Sequence, residues 1–433
     1  MSKKAIGFFT ATSIVISSMI GVGVFTSLGY QVADIKSGFA LLLLWFIGGA
    51  AALMGALCYG ELGAAFPMSG GEYNYLSKIY HPAVGFLSGW VSAIVGFSAP
   101  AAASSIALGK YLSQIIPQVS PVGIAAAVII LMAVIHTIRI EIGRGFQNFF
   151  TALNILIIIG IIVCGMISGR TGNAGFLPDT SSWEEIKSPA FAVSFFFVSL
   201  AYSGWNASAY IAGEMEDIQR NLPRSLILGT LLVMLLYMLL NFIFLYTTPM
   251  DEMAGKAEVG LVAAKHIVGN TGGKIMGLII SLLLLSSVSS MTIAGPRVTN
   301  AMGEDFHLFR FFSRKNKHGI PAVAIITQCI ISLLFVFTAK FEQVITYISF
   351  TLNLFLFLTV LGLIVLRIKR PALARPYRTW GYPVTPVLFL IISAWLTYFG
   401  FREKPYESLA GLGTVLSGLF FYFVSRKNVE PYK

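Results

Sequence analysis

A helix that crosses a bilayer needs about 20 mostly apolar residues, and the hydropathy pattern of this 433-residue chain divides into twelve such segments. They cover residues 6–29, 37–61, 83–109, 121–138, 147–168, 189–213, 224–246, 275–294, 321–339, 343–366, 384–400 and 408–424. Only 11% of the residues are charged, against about a quarter in a soluble domain, which excludes an ordinary soluble globule. The longest connection is roughly 28 residues and an independent domain takes about 50 or more, so a separate catalytic unit has nowhere to sit. A secretory signal would stop after about ten apolar residues at a small-residue cleavage site. The first segment runs on without one and reads as a retained span. The chain is expected to be an all-α polytopic membrane protein with 12 transmembrane helices.

The formal net charge of +11 would suit nucleic acid, but its distribution does not. An even number of spans puts both termini on one side, and about two thirds of the 30 basic residues fall there. They include Lys3, Lys4, Lys78, Arg139, Arg144, Arg220, Arg297, Lys317, Arg367, Arg375, Arg426, Lys427 and Lys433. This is the positive-inside signature; it places both termini in the cytoplasm and makes the bilayer, not a nucleic acid, the partner. Cys58, Cys164 and Cys329 all fall inside predicted spans, with no CxxC or Cys/His spacing, so neither a disulfide framework nor a zinc site is indicated. No other cofactor is indicated either.

A spanning helix must satisfy its own backbone, so a weak point in one has to face protein or a water-filled cavity. Segment 6–29 contains Ser17-Ser18-Met19-Ile20-Gly21-Val22-Gly23-Val24-Phe25, and segment 189–213 contains Leu200-Ala201-Tyr202-Ser203-Gly204-Trp205-Asn206. These are the first and sixth spans, equivalent positions if spans one to five and six to ten form two repeats. Matched interruptions of this kind point to a transporter site between inverted repeats. Close helix packing is the plainer explanation of Gly21 and Gly23 taken alone.

An opened helix exposes useful chemistry. Freed N–H groups at Gly21, Val22 and Gly23 would present partial positive charge to a carboxylate. Freed carbonyls at Met19 and from Leu200 to Ser203 would accept from an ammonium group. Both together would recognise an α-amino acid through backbone alone, with Gly204 and Trp205 beside the break. No ionisable residue lies mid-span; Glu61 and His136 near cytoplasmic ends and Lys110 near an outer end could snorkel to water. A neutral amino acid is therefore the favoured substrate.

These residues resemble the amino acid-polyamine-organocation superfamily, and within it bacterial relatives of the L-type amino acid transporters. Ser18 to Phe25 resembles the family's Ile-Gly-Ser-Gly-Ile-Phe motif, and Pro67-Met68-Ser69-Gly70-Gly71-Glu72-Tyr73 resembles Pro-x-x-Gly-Gly-x-Tyr. Ala201 to Asn206 resembles the L-type Ala-Tyr-x-Gly-Trp-Asn signature, and Arg375-Pro376-Tyr377-Arg378 with Gly381-Tyr382-Pro383 resembles the pattern before the eleventh span. The resemblance implies a five-plus-five inverted repeat with helices 1 and 6 broken: residues 1–170, then 183–370, then two accessory helices in 371–433. It also implies alternating access, carboxylate binding at Gly21, Val22 and Gly23, and ammonium binding at Met19, Leu200 and Ser203. A prokaryotic cytoplasmic membrane is the expected location.

Three positions depart from that pattern. Val22 replaces a serine, and Leu200 stands where L-type members place an aromatic gate, implying a differently sealed outer closure. Asn154, in the run Phe146-Gln147-Asn148-Phe149-Phe150-Thr151-Ala152-Leu153-Asn154, replaces a lysine that the resemblance implies would stand in for sodium. Ser286, Ser287, Ser289 and Ser290 in the eighth span could supply oxygens to a cation, although such serines more often bond helix backbone. Exchange or facilitated diffusion leads, with proton or sodium symport and a transport-deficient amino acid sensor as alternatives. An enzyme would show polar catalytic clusters and a channel a continuous polar pore; the sequence has neither. No ancillary subunit is indicated. Segments 251–274 and 298–312 are expected to lie in the membrane interface.

Overall fold

The computed structural model describes residues 6–138, 143–316 and 319–425. Lys3, Lys4, Arg139, Lys317, Arg426, Lys427 and Lys433 lie outside those residues, as do both termini and the side chains of Arg144, Phe146, Gln147 and Asn148. Among the described residues the structure is all helix, with two isolated bridges, Ile6 to Met215 and Ser37 to Gly175, and no strand. The helices are α1 (Phe8–Met19), α2 (Val22–Asp34), α3 (Gly38–Ala65), α4 (Glu72–Ile79), α5 (Pro82–Val91), α6 (Ser98–Ser113), α7 (Pro121–Ile138), α8 (Gly143–Ser168) and α9 (Thr180–Lys187). They continue as α10 (Pro189–Tyr202), α11 (Ala207–Tyr210), α12 (Ile218–Thr247), α13 (Met250–Met253), α14 (Val259–Asp305), α15 (Ala322–Thr338), α16 (Phe341–Lys369), α17 (Val384–Glu403) and α18 (Pro405–Ser425).

Nine stretches of described helix are long and apolar enough to cross a membrane, as a polytopic membrane protein requires. Three shorter apolar helices, Pro121–Thr137, Pro189–Tyr202 and Ala322–Thr338, fall where the fourth, sixth and ninth spans are expected. Local chemistry sets the helix starts. Pro82 and Pro189 open α5 and α10, where a missing N–H is harmless. The Ser37 and Ser188 hydroxyls accept from Ala40 and Phe191 N–H groups at the starts of α3 and α10.

The bundle closes around small residues, because helices in lipid gain from close approach rather than from apolar burial. A Cβ on Gly48 would sit 2.2 Å from Val198, one on Gly49 2.5 Å from Met234, and one on Gly63 2.2 Å from Leu222. Large apolar side chains such as Ile167, Leu235, Phe337 and Phe423 point outward, as they do toward lipid.

Two interruptions appear where the sequence places them. α1 gives way to α2 across Ile20 and Gly21, and α10 stops at Tyr202 before the short α11. Two others were not anticipated. A π-helical turn, Ser92–Gly96, separates α5 from α6, and Gly269, at φ 76°, kinks the 47-residue α14.

Several surface expectations need correcting. Glu61 does not snorkel: it is 1% exposed, accepts from Arg367 Nε at 2.8 Å and from the Thr379 N–H at 2.7 Å, and has Arg375 Nε at 3.4 Å. His136 turns inward, its Nε2 2.8 Å from Ser289 Oγ. Within 251–274, Met253, Val259 and Leu261 are buried against the bundle, while Val268 to Thr271 are exposed. In 298–312, Phe306 and Phe309 are buried against Phe86, with ring centroids 4.6 and 5.7 Å away, while Leu308 and Phe311 remain exposed.

Candidate functional site

The two breaks interlock. Gly23 packs so closely on α10 that a Cβ would sit 2.3 Å from Ala201 Cα. Gly204, at φ 101°, packs on α1, where a Cβ would sit 2.5 Å from the Ser18 carbonyl oxygen. Only glycine satisfies both the backbone angle and the contact at Gly204. Close packing and helix breaking are thus one feature here, not competing explanations.

A cavity of about 830 Å³ lies against this junction, within the range of small-molecule sites. Met19, Gly21, Val22, Gly23, Leu200, Ser203, Gly204 and Trp205, all eight residues singled out from the sequence, line it. Gly21 is the N-cap of α2 and has no side-chain cap, leaving the first N–H groups of α2 without intrahelical partners. They form the positive end of a helix dipole. The carboxyl end of α10 stands beside it and supplies the negative end. Trp205 is 4% exposed, with its ring edge-on to Tyr59 at 4.7 Å and a Cβ on Gly55 only 2.7 Å from it.

Two of the carbonyls expected to be free already carry a bond. The Tyr237 hydroxyl donates to Met19 at 2.7 Å, and the Ser203 N–H donates to Leu200 at 2.9 Å. Each oxygen retains a second lone pair, so neither loses its capacity to accept. Tyr237, in the middle of α12, was missed because a lone tyrosine in an apolar helix gives no sign of what it faces.

The four serines do not converge. Ser287 and Ser290 line the cavity, and Ser287 Oγ lies 3.3 Å from Ser104 Oγ and 3.1 Å from where a Gly21 Cβ would be. Ser289 faces α7 and His136, and Ser286 is buried away from the cavity wall. Asn154 is 3% exposed and also outside the wall; its Oδ1 has no hydrogen-bond partner among the described residues.

The cavity reaches exposed Met68, Glu214 and Glu304 at the end of the bundle that holds Ile6. The other end is packed shut. Tyr30 is stacked between Phe197 at 5.3 Å and Phe341 at 5.6 Å, with Lys110 Nζ 3.3 Å from its hydroxyl. Below this stack, fully buried Gln31 accepts from Trp45 Nε1 at 2.9 Å and donates to the Ser194 carbonyl at 3.3 Å. Leu200 is not part of this aromatic stack; it lines the cavity. Sequence reading also passed over Glu72, noticed only as a motif letter. It is 4% exposed, lines the cavity, and accepts from the Tyr59 hydroxyl at 2.8 Å and from Asn206.

Apolar helices wrapped around a cavity at two opposed helix breaks, sealed at one end and open at the other, define a solute permease. A family profile described as amino acid permease matches residues 6–420, and the chain belongs to that family, one of transporters rather than enzymes. It is 29% identical to the human b(0,+)-type amino acid transporter 1, covering 98% of this chain and 88% of that protein. It is 28% identical to the human large neutral amino acids transporter small subunit 2, covering 98% of this chain and 80% of that protein.

Proposed function

We propose that this chain exchanges or facilitates the passage of neutral L-amino acids by alternating access, and that the structure is its cytoplasm-facing state. The observation that carries this is the convergence of all eight candidate residues on one cavity, which reaches exposed residues at the end of the bundle that holds Ile6. The substrate carboxylate meets the N–H groups of Gly21, Val22 and Gly23, and its ammonium meets the carbonyls of Met19, Leu200 and Ser203. Trp205 forms the wall beside the side chain. The oppositely charged helix ends match a zwitterion without a buried counter-ion, which favours the backbone as the recognition element.

In this proposal twelve spans cross a prokaryotic cytoplasmic membrane with both termini inside, and residues 1–170 and 183–370 form inverted repeats followed by accessory helices in 371–433. The relative named a small subunit raises the question of a second chain. Cys58, Cys164 and Cys329 all lie within helices and are free, so no loop cysteine is offered for linkage, and we take the chain to act alone. Asn154 is a neutral structural substitute in this scheme, without a coupling ion.

Purified protein in liposomes preloaded with neutral amino acids should take up labelled alanine, serine or leucine without an ion gradient, and empty vesicles should take up far less. Uptake that needs a sodium or proton gradient would replace exchange by symport. Binding without flux would make the protein a sensor.

A further inference from the structure

The end of the bundle opposite Ile6 carries a second, smaller cavity of about 660 Å³, a size that suits a small molecule. It shares no lining residue with the cavity at the helix breaks. Tyr30 and Phe341 of the aromatic stack belong to its wall, and exposed Pro121, Val122 and Gly255 mark its rim. Five charged residues line it: Lys110 near the end of α6, Lys340 and Glu342 at the start of α16, and Lys404 and Glu407 where α17 gives way to α18. None of the ion pairs among the described residues includes any of the five. Lys110 is half-buried; its ammonium lies 3.3 Å from the neutral Tyr30 hydroxyl and 5.7 Å from the centre of the Phe341 ring.

Opposite charges that share one wall without pairing are complementary to a ligand that carries both signs. The lysines can hold an anionic end and the glutamates an ammonium, each through charge-assisted hydrogen bonds. Between them Ile106, Val336 and Ala339 offer an apolar surface. A neutral α-amino acid has all three parts. Lys110 also ties this pocket to the stack beneath it. A carboxylate is a stronger acceptor than a hydroxyl, so a ligand bound to Lys110 draws its ammonium away from Tyr30.

We propose that this pocket is an outer docking site, separate from the cavity at the helix breaks, where a zwitterionic amino acid is held before it passes the Tyr30 stack. Its carboxylate meets Lys110 and its ammonium meets Glu342 and Glu407. In the orientation proposed above the pocket faces the outside, so the proposal rests on the transport reading. Sequence reading could not find it, because Lys110, Glu342 and Lys404 belong to separate spans and each is an ordinary charge near a helix end.

The test measures leucine exchange in proteoliposomes with the two faces titrated separately. K110Q and E342Q should raise the half-saturating leucine concentration outside at least about fivefold. This is less than a buried charge-assisted bond is worth, because the pocket is open to water. The half-saturating concentration inside and the maximal rate should stay as in the parent, and E342D should recover part of the loss. An unchanged outside value, or equal shifts on both faces, would overturn the proposal. A phosphoethanolamine headgroup carries the same two charges, so the comparison is made with and without phosphatidylethanolamine. A shift confined to vesicles containing that lipid would assign the pocket to the headgroup and overturn the amino acid reading.

Equilibrium binding of labelled leucine to the purified protein reads the pocket without flux: two molecules per chain in the parent at saturation and one in E342Q. If both sites fill while no amino acid exchanges, the outer site stands and the transport reading falls. A single leucine per chain in the parent would refute the outer site even if neither variant assembles.

Discussion

Replacing Glu61 by glutamine removes one negative charge from a buried cluster that joins three separate parts of the chain. The carboxylate is on the last turns of α3, Arg367 is near the end of α16, and Arg375 and Thr379 belong to the connection before α17. Arg367 also lies over the Tyr382 ring, 3.7 Å from its centroid. Removing one partner of a buried pair typically costs about 3–5 kcal/mol, because the remaining charge stays buried. Glutamine keeps an acceptor for the Thr379 N–H, and the Arg367 side chain is 21% exposed, so some water reaches it. Both facts favour the low end, about 3 kcal/mol, or roughly a hundredfold in the folded-to-unfolded ratio. Unfolding in mixed detergent micelles, followed by circular dichroism, measures this. A double-mutant cycle with Arg367→Met should give a coupling of about 1–3 kcal/mol. A Glu61→Gln protein within about 0.5 kcal/mol of the parent, the range of an ordinary surface change, would refute the argument.

Gly204→Ala should reduce exchange at least about tenfold, since it meets both an unfavourable positive φ and the Ser18 carbonyl; Gly160→Ala, with nothing within 4 Å, is the silent control. Normal exchange by Gly204→Ala would show that the breaks need not interlock. Tyr237→Phe should lose about 1 kcal/mol of stability and weaken substrate binding, because the Met19 carbonyl loses the donor that orients it; unchanged affinity in equilibrium binding would remove Tyr237 from the site. Asp179 caps α9, and the Ser182 hydroxyl and N–H, followed by Ser181, hold its carboxyl down to about 2. Its contribution is complete above the ordinary aspartate range near about 4 and is lost as pH falls toward about 2. Amide protection in α9 should therefore be the same at pH 7 and pH 5, and fading across that interval would contradict the cap.

The membrane class and the breaks were legible because each is a local property. Apolar run length sets the helices, and glycine with polar neighbours weakens them wherever they sit. Eight residues chosen on that basis line one cavity. The serines of α14 show the limit: four neighbours in sequence point around a helix, and only Ser287 and Ser290 reach the cavity. Glu61 was read from its depth alone, and that omitted two arginines more than three hundred residues away in sequence.

The sequence by itself determined that the chain lives in a bilayer, where its helices fail, and what backbone chemistry those failures expose. It could do so because lipid offers no substitute for backbone hydrogen bonds, and each helix must answer that demand alone. Only the tertiary structure decided that Gly204 lies on Ser18, that Tyr30 stacks between Phe197 and Phe341, and that buried Glu72 lines the cavity, bonded by Tyr59 and Asn206. Those are meetings between distant segments, set by the packing of the whole bundle, and no local pattern encodes which residues will meet.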